Sequence, residues 1–208
     1  MYNKWRKNKT EESPMAKKSN RNTRGRIVSA AWKLFYEQGY EDTTVEEIIE
    51  LSGTSKGSFY HYFDGKDALL STLSSLFDEK YEELTGLLTP EMTAMEQLLF
   101  LNRELFHMIE DSISLDLLAR LYSTQLTTNG EKHLLDHNRI YYKLLRKIIA
   151  KGQSEGQLSS RSNVNEMVKL YALCERALLY DRCLCAGEYA LTEYSAKVLP
   201  GFLSSFLP

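Results

Sequence analysis

Between Thr43 and Lys66 the apolar positions fall into two short helical sets with a glycine between them. Val45, Ile48 and Ile49 make one side of a helix predicted from about Val45 to Ser52. Thr44 stands at its N-cap position with Glu47 three residues on, the spacing of a reciprocal capping box. Gly53 supplies the turn. A second helix is predicted from near Ser55 to Phe63, with Phe59, Tyr62 and Phe63 on one face and Gly57, Ser58, Tyr60 and His61 on the other. That second face carries no carboxylate and has Lys56 at its exposed end, as a surface laid against phosphates and base edges requires. Two crossed helices joined by a glycine turn form a helix-turn-helix, whose second helix enters the DNA major groove.

Helical periodicity continues on both sides. Upstream, Ile27, Ala31, Leu34 and Phe35 mark a helix from about Arg24 to Gln38, capped at Asn22 or Thr23, with Gly39 at its C′ position. Arg24 and Arg26 stand in its first turn. Downstream, Leu69, Leu70, Leu73, Leu76, Phe77 and Tyr81 predict one continuous helix from Lys66 to Leu88. After Thr89-Pro90, helices are predicted at about 91–110, 113–127 and 130–151, with a turn at Asn129-Gly130. Gly152 and Gly156 bracket the next break. Asn163 with Glu166 caps a helix running to about Ala186, and a last helix covers roughly 188–206 with a bend at Pro200-Gly201. No strand pattern or internal repeat occurs in the sequence.

The order of features over residues 22–80 closely resembles the N-terminal domain of the TetR family of transcriptional regulators. It comprises the first helix, Gly39-Tyr40, Thr43-Thr44-Val45, Gly53, the run Ser55-Lys56-Gly57-Ser58-Phe59-Tyr60-His61-Tyr62-Phe63, and Lys66 followed by Ala68-Leu69-Leu70. The resemblance implies an all-α protein: a three-helix DNA-binding head on a C-terminal helical body that senses a ligand and forms a homodimer. The corresponding division is a basic flexible tail at 1–21, a head at 22–66 extending into a linking helix at 66–88, and a ligand-binding and dimerisation domain at 89–208. A ligand in the body is implied to move the linking helix and change the spacing of two heads on a palindromic operator.

Charge supports a protein that touches DNA at one end. Residues 1–66 hold 12 Lys and Arg against 9 Asp and Glu, and residues 67–208 hold 14 against 19. The DNA-contacting set is read as Thr44, Ser55, Lys56, Gly57, Ser58, Tyr60, His61, Tyr62 and Lys66. In it, Lys66 clamps the phosphate backbone and Thr44 offers a hydroxyl or backbone N–H to a phosphate. Glu46 is acidic where the family commonly has a basic residue.

In the body, a ligand pocket is read among Arg103, Phe106, His107, Leu117, Leu121, Tyr122, Gln125, Tyr142 and Tyr171, a mostly apolar set with a few polar groups. Broad apolar faces on the last two helices place a dimer interface at Met167, Leu170, Cys174, Leu178, Val198 and Phe202. His133 and His137, four apart, read as a surface pair rather than a metal site. Cys174, Cys183 and Cys185 read as small buried residues, with redox or metal sensing as the alternative form of regulation. No cofactor, metal or catalytic motif is expected. A helical enzyme or carrier whose head binds protein is the rival reading. No signal-peptide pattern or membrane-length apolar run occurs, so the chain is expected in the cytoplasm, with operator DNA, a small-molecule effector and a second copy as partners. Met15 before Ala-Lys-Lys is a possible second start.

Overall fold

The structure is a computed structural model that describes residues 20–127 and 132–208, with side chains from Thr23 onward. The basic segment through residue 19, Met15 and the Asn129-Gly130 turn lie outside the described residues. All regular structure among the described residues is helical. The chain divides into two compact units between Leu69 and Leu70.

The head holds α1 (Asn20–Glu37), α2 (Val45–Ser52), α3 (Lys56–Tyr62) and the start of α4 (Lys66–Leu70). α1 packs on α2 and α3. Their shared core is Ile27, Ala31, Phe35, Tyr40, Ile48, Phe59 and Phe63, all buried, and the Phe35 and Tyr40 rings lie 5.0 Å apart. α1 begins earlier than the sequence pattern indicates. Asn22 and Thr23 lie inside it, because no glycine or proline interrupts the chain there and near-neutral residues continue a helix that tertiary packing supports. Gly39, at φ +90°, reverses the chain after α1.

Residues 66–88 are not one helix. α4 ends at Leu70, and α5 spans Leu73–Thr85. Around the break, the amides of Ser74 and Ser75 bond three residues back, to Ser71 and Thr72, instead of four. The Ser74 hydroxyl also donates to the Ser71 carbonyl at 2.7 Å. A run of hydroxyl side chains that compete for backbone groups explains the interruption.

The body continues with α6 (Ala94–Ser112), α7 (Leu115–Thr127), α8 (Ile140–Ser154), α9 (Val164–Leu184) and α10 (Leu191–Leu203), with 3-10 turns at His133–Leu135 and Ser204–Phe206. α8 packs on α5, α6 and α9, and α9 packs also on α7 and α10. Thr93 and Glu96 form a capping box that starts α6, and the Asn163 side chain caps α9 through the Glu166 amide at 3.0 Å.

α8 starts ten residues later than the pattern suggests. The Asn138 amide donates to Asp136 Oδ1 at 2.8 Å, a local side-chain turn that outcompetes helix. α10 runs through Pro200 to Leu203. Gly152 is not a break but a buried residue of α8. A Cβ there would lie 2.6 Å from that of Ala94 and 2.9 Å from the Leu158 side chain, so the close approach of these segments requires glycine.

Ala190 cannot cap α10 with its side chain, and Glu110 of α6 supplies the cap. Its carboxylate accepts from the amides of Leu191 and Thr192, the latter at 2.9 Å, and faces Arg182 at 3.3 Å. Burial pushes the Glu110 carboxyl up, but the bonds from Thr192 and Leu191 and the charge of Arg182 outweigh it and hold it below its ordinary range.

Candidate nucleic-acid interface

α2 and α3 are fixed by short-range devices written into their sequences. The Glu47 amide donates to Thr44 Oγ1 at 3.2 Å, and the Thr44 amide donates back to Glu47 Oε2 at 2.7 Å. The Thr44 hydroxyl donates to the same carboxylate at 2.8 Å. These bonds, first that of the Thr44 amide, hold the Glu47 carboxyl below its ordinary range. Both donors that the sequence reading assigned to a phosphate are therefore already engaged at Thr44. Gly53, at φ +60°, closes α2 in the left-handed region, with its N–H on Glu50 and Ile49. Ser55 caps α3 through the Ser58 amide at 3.1 Å, and the two serine hydroxyls lie 2.9 Å apart.

Two cations serve the scaffold. Arg26 lays its guanidinium on the end of α2, with Nε donating to the Ser52 carbonyl at 2.9 Å and Nη2 to Ser52 and Gly53. Lys66 Nζ donates to the carbonyls of Tyr40, Glu41 and Thr43 at 2.7, 3.2 and 2.8 Å and sits 4.3 Å over the Tyr40 ring. An ammonium has three N–H groups, and all three are used. Lys66 is thus a staple for the loop between α1 and α2, in place of the phosphate clamp that its position suggests. Arg24, one helical turn into α1, is exposed and stacks 5.4 Å over Phe63.

The outward side of α3 presents Lys56, Gly57, Tyr60 and His61, all exposed, while Phe59 is buried and Tyr62 half-buried against His61. Among the described residues a Cβ on Gly57 would meet nothing closer than Ser55 Oγ at 4.0 Å, so this stretch of backbone is open to a flat partner. Lys56 Nζ lies 5.9 Å from the centre of the Tyr60 ring. It also faces Glu46 Oε1 at 3.5 Å.

In the body, the residues read as a pocket separate into four groups, the last being Tyr122 at a small cavity. Phe106, Leu117, Leu121, Tyr142 and Tyr171 are core. Arg103 and His107 lie on the outer face of α6, because Leu98, Leu101, Leu105 and Ile109 turn the other side inward. There Arg103 pairs with Glu104 and His107 with Asp111. Gln125 accepts from the Leu134 amide at 3.2 Å.

A small cavity of about 40 Å³ is lined by Leu121 and Tyr122 from the expected set, together with Tyr81, Arg139, Tyr141, Glu175 and Arg176. Glu175 is buried and accepts from Asn102 Nδ2 at 2.8 Å and from the Tyr141 hydroxyl at 2.7 Å. Burial pushes its carboxyl up against those bonds. An acid placed four residues after Tyr171 and three before Leu178, on an apolar stripe, was the sequence signal for it.

Met167, Cys174 and Leu178 of the expected interface are buried within the chain itself. Leu170, Val198 and Phe202 are half-buried. The exposed stripe on α9 is offset from the expected one and runs Leu173, Ala177, Tyr180 and Leu184 at helical spacing, continuing from half-buried Leu170. Burial pushes the Cys174 thiol up to about 11 and raises those of Cys183 and Cys185, so none is poised as a thiolate. His133 and His137 are exposed and belong to a 3-10 turn and the loop after it, not to one helix. No group of three or more His, Cys, Asp or Glu suited to a metal occurs among the described residues, and none of their helices is long and apolar enough to cross a membrane.

A helix-turn-helix head with an open recognition face, followed by a helical body, defines an architecture of DNA-binding regulators. Residues 27–73 match the family model described as bacterial regulatory proteins, tetR family, and the chain carries the DNA-binding domain of that family. The chain is 36% identical over 62 residues to the transcriptional regulator QacR of Staphylococcus aureus, covering 30% of this chain and 33% of QacR. The chain covers only 29%, 22% and 33% of three of the curated relatives it matches. Likeness across the whole fold comes from solved structures. FadR of Thermus thermophilus, a TetR-family repressor solved with lauroyl-CoA, matches with TM-score 0.71 and 25% identity over 89% of this chain and 95% of its own. FadR of Bacillus subtilis, solved with stearoyl-CoA, matches in fold with TM-score 0.64 and 22% identity over 88% and 99%.

Proposed function

We propose that the chain is a one-component, ligand-responsive transcriptional regulator, a homodimer that represses from a palindromic operator and is released by a small molecule. The observation that carries the reading is the exposed face of α3. Lys56, Gly57, Tyr60 and His61 stand clear of the core, on a helix fixed at both ends and free of carboxylates. Few of these side chains are strong base readers, so phosphate contacts dominate and binding is steeply salt-dependent. A dimer places two such helices about one turn of DNA apart, roughly 34–36 Å. The α9 stripe supplies an apolar surface for it. The acyl-CoA ligands of the two FadR structures support an effector with an apolar part. The protein acts in the cytoplasm, where its DNA is.

The direct test is the double variant Lys56→Ala with Tyr60→Ala, examined for helical content, sizing and DNA retention. Loss of DNA binding by a folded protein of unchanged oligomeric state supports the reading. Full retention of binding overturns it and favours a head that binds something other than DNA.

A further inference from the structure

We infer that the cavity beside Tyr81 and Arg176 is the polar end of the effector site, and that it selects an apolar molecule ending in a carboxylate. The inference rests on the regulator reading for its biological meaning, though not for its chemistry.

The Tyr81 hydroxyl is buried and has no hydrogen-bond partner among the described residues, and Tyr81 lines the cavity. Burial raises its pKa well above the ordinary value, so the group stays an O–H donor. A buried donor left unmade is costly, and a native protein keeps one where something else completes it. Across the same cavity, Arg176 Nη1 donates to the Tyr142 hydroxyl at 3.1 Å, which itself donates to the Leu134 carbonyl at 2.9 Å. The rest of that guanidinium meets no protein acceptor among the described residues.

The other charged groups on the wall are already matched. Arg139 is paired through Nε and Nη2 with both oxygens of Asp78, at 3.0 and 3.1 Å. Both oxygens of Glu175 accept protein donors, Asn102 and Tyr141. Glu175 therefore does not offer an open carboxylate to a cation. What remains unspent on the wall is the Tyr81 hydroxyl, which can donate or accept, and the other N–H groups of Arg176, which only donate. An acceptor-bearing anion uses both, and a guanidinium suits a carboxylate. Phe77, Leu105 and Leu179 make the remaining wall apolar.

At about 40 Å³ the cavity has room for little more than a water molecule. An effector must part α5, which carries Phe77 and Tyr81, from α9, which carries Glu175 and Arg176. A ligand that binds only the parted state shifts the population toward it, as allosteric release requires.

The test uses the full chain and three probes with one body: para-butylbenzoate, para-butylbenzamide and para-butylbenzylamine, titrated calorimetrically. The acid should bind at least about tenfold more tightly than the other two. Tyr81→Phe should raise the thermal midpoint of the ligand-free protein, by removing the unmatched hydroxyl, while weakening the acid about tenfold. Arg176→Gln should weaken the acid and leave the amide unchanged. Tightest binding by the amine, equal binding by all three, no binding by any, or indifference of the acid to both variants overturns the inference. DNA retention is measured on the same samples. Retention of DNA without selective acid binding sinks this inference alone. Selective acid binding without any change in DNA retention upholds the site and sinks the regulator reading.

Discussion

Lys56 Nζ stands 3.5 Å from Glu46 Oε1, with the two side chains 68% and 71% exposed. The pair adds little stability, as exposed ion pairs do, but it sits at the edge of the face proposed to meet DNA. On that proposal the Glu46 carboxylate repels phosphate and competes with it for Lys56. Glu46→Gln should tighten DNA binding, by about three- to tenfold at moderate salt, with no change in thermal midpoint. Fluorescence anisotropy across a salt series checks this. Unchanged affinity would show that Lys56 makes no phosphate contact.

Lys66 and Lys56 should part company in the same assay. Lys56→Ala should lower the slope of log affinity against log salt by about one, the signature of one lost phosphate contact. Lys66→Met should leave that slope alone and lower stability by about 1–3 kcal/mol, since three carbonyls lose their donor. A reduced slope for Lys66→Met would restore it as a phosphate ligand.

The two apolar stripes of α9 make opposite demands. Leu173 is 52% exposed and Leu178 is 6% exposed. Leu173→Glu should give a folded monomer by light scattering, with DNA affinity much reduced. Leu178→Glu should unfold the body, because it buries an unpaired charge. A folded dimer carrying Leu173→Glu would place the interface elsewhere.

Glu175 gives a pH signature. Burial raises its pKa in the folded chain above the ordinary value of 4.5. The folded state then holds the proton more tightly than the unfolded one. The resulting stability is fully present below about 4.5 and is lost as pH rises through the folded value. Glu175→Gln removes this dependence. The difference in stability between variant and parent should grow in the variant's favour from about pH 4.5 upward, as read from urea midpoints. A constant difference across that range would mean that Glu175 titrates normally.

Legibility followed the range of the interactions. Thr44, Glu47, Gly53 and Ser55 act within one turn of themselves, and both motif helices could be read from them. The roles of Lys66 and Arg26 could not, because each depends on carbonyls 23 to 27 positions away in the sequence. The register of α9 failed for a related reason. Apolar residues cover both of its sides, and periodicity alone does not say which stripe is inward. Tyr81 and Arg176 were invisible as a pair, since only packing reveals that a hydroxyl has no partner. The break at Ser71-Thr72 lay under an unbroken apolar pattern, so only its hydroxyl side chains hinted at it.

The most direct test of the central claim is sequencing of genomic fragments retained by the purified protein at moderate salt, beside the Lys56→Ala, Tyr60→Ala double variant. The expected result is a short set of fragments sharing one inverted repeat with half-sites about one helical turn apart, absent from the variant's set. Uniform retention of all fragments, or the same set from both proteins, would contradict specific recognition by α3.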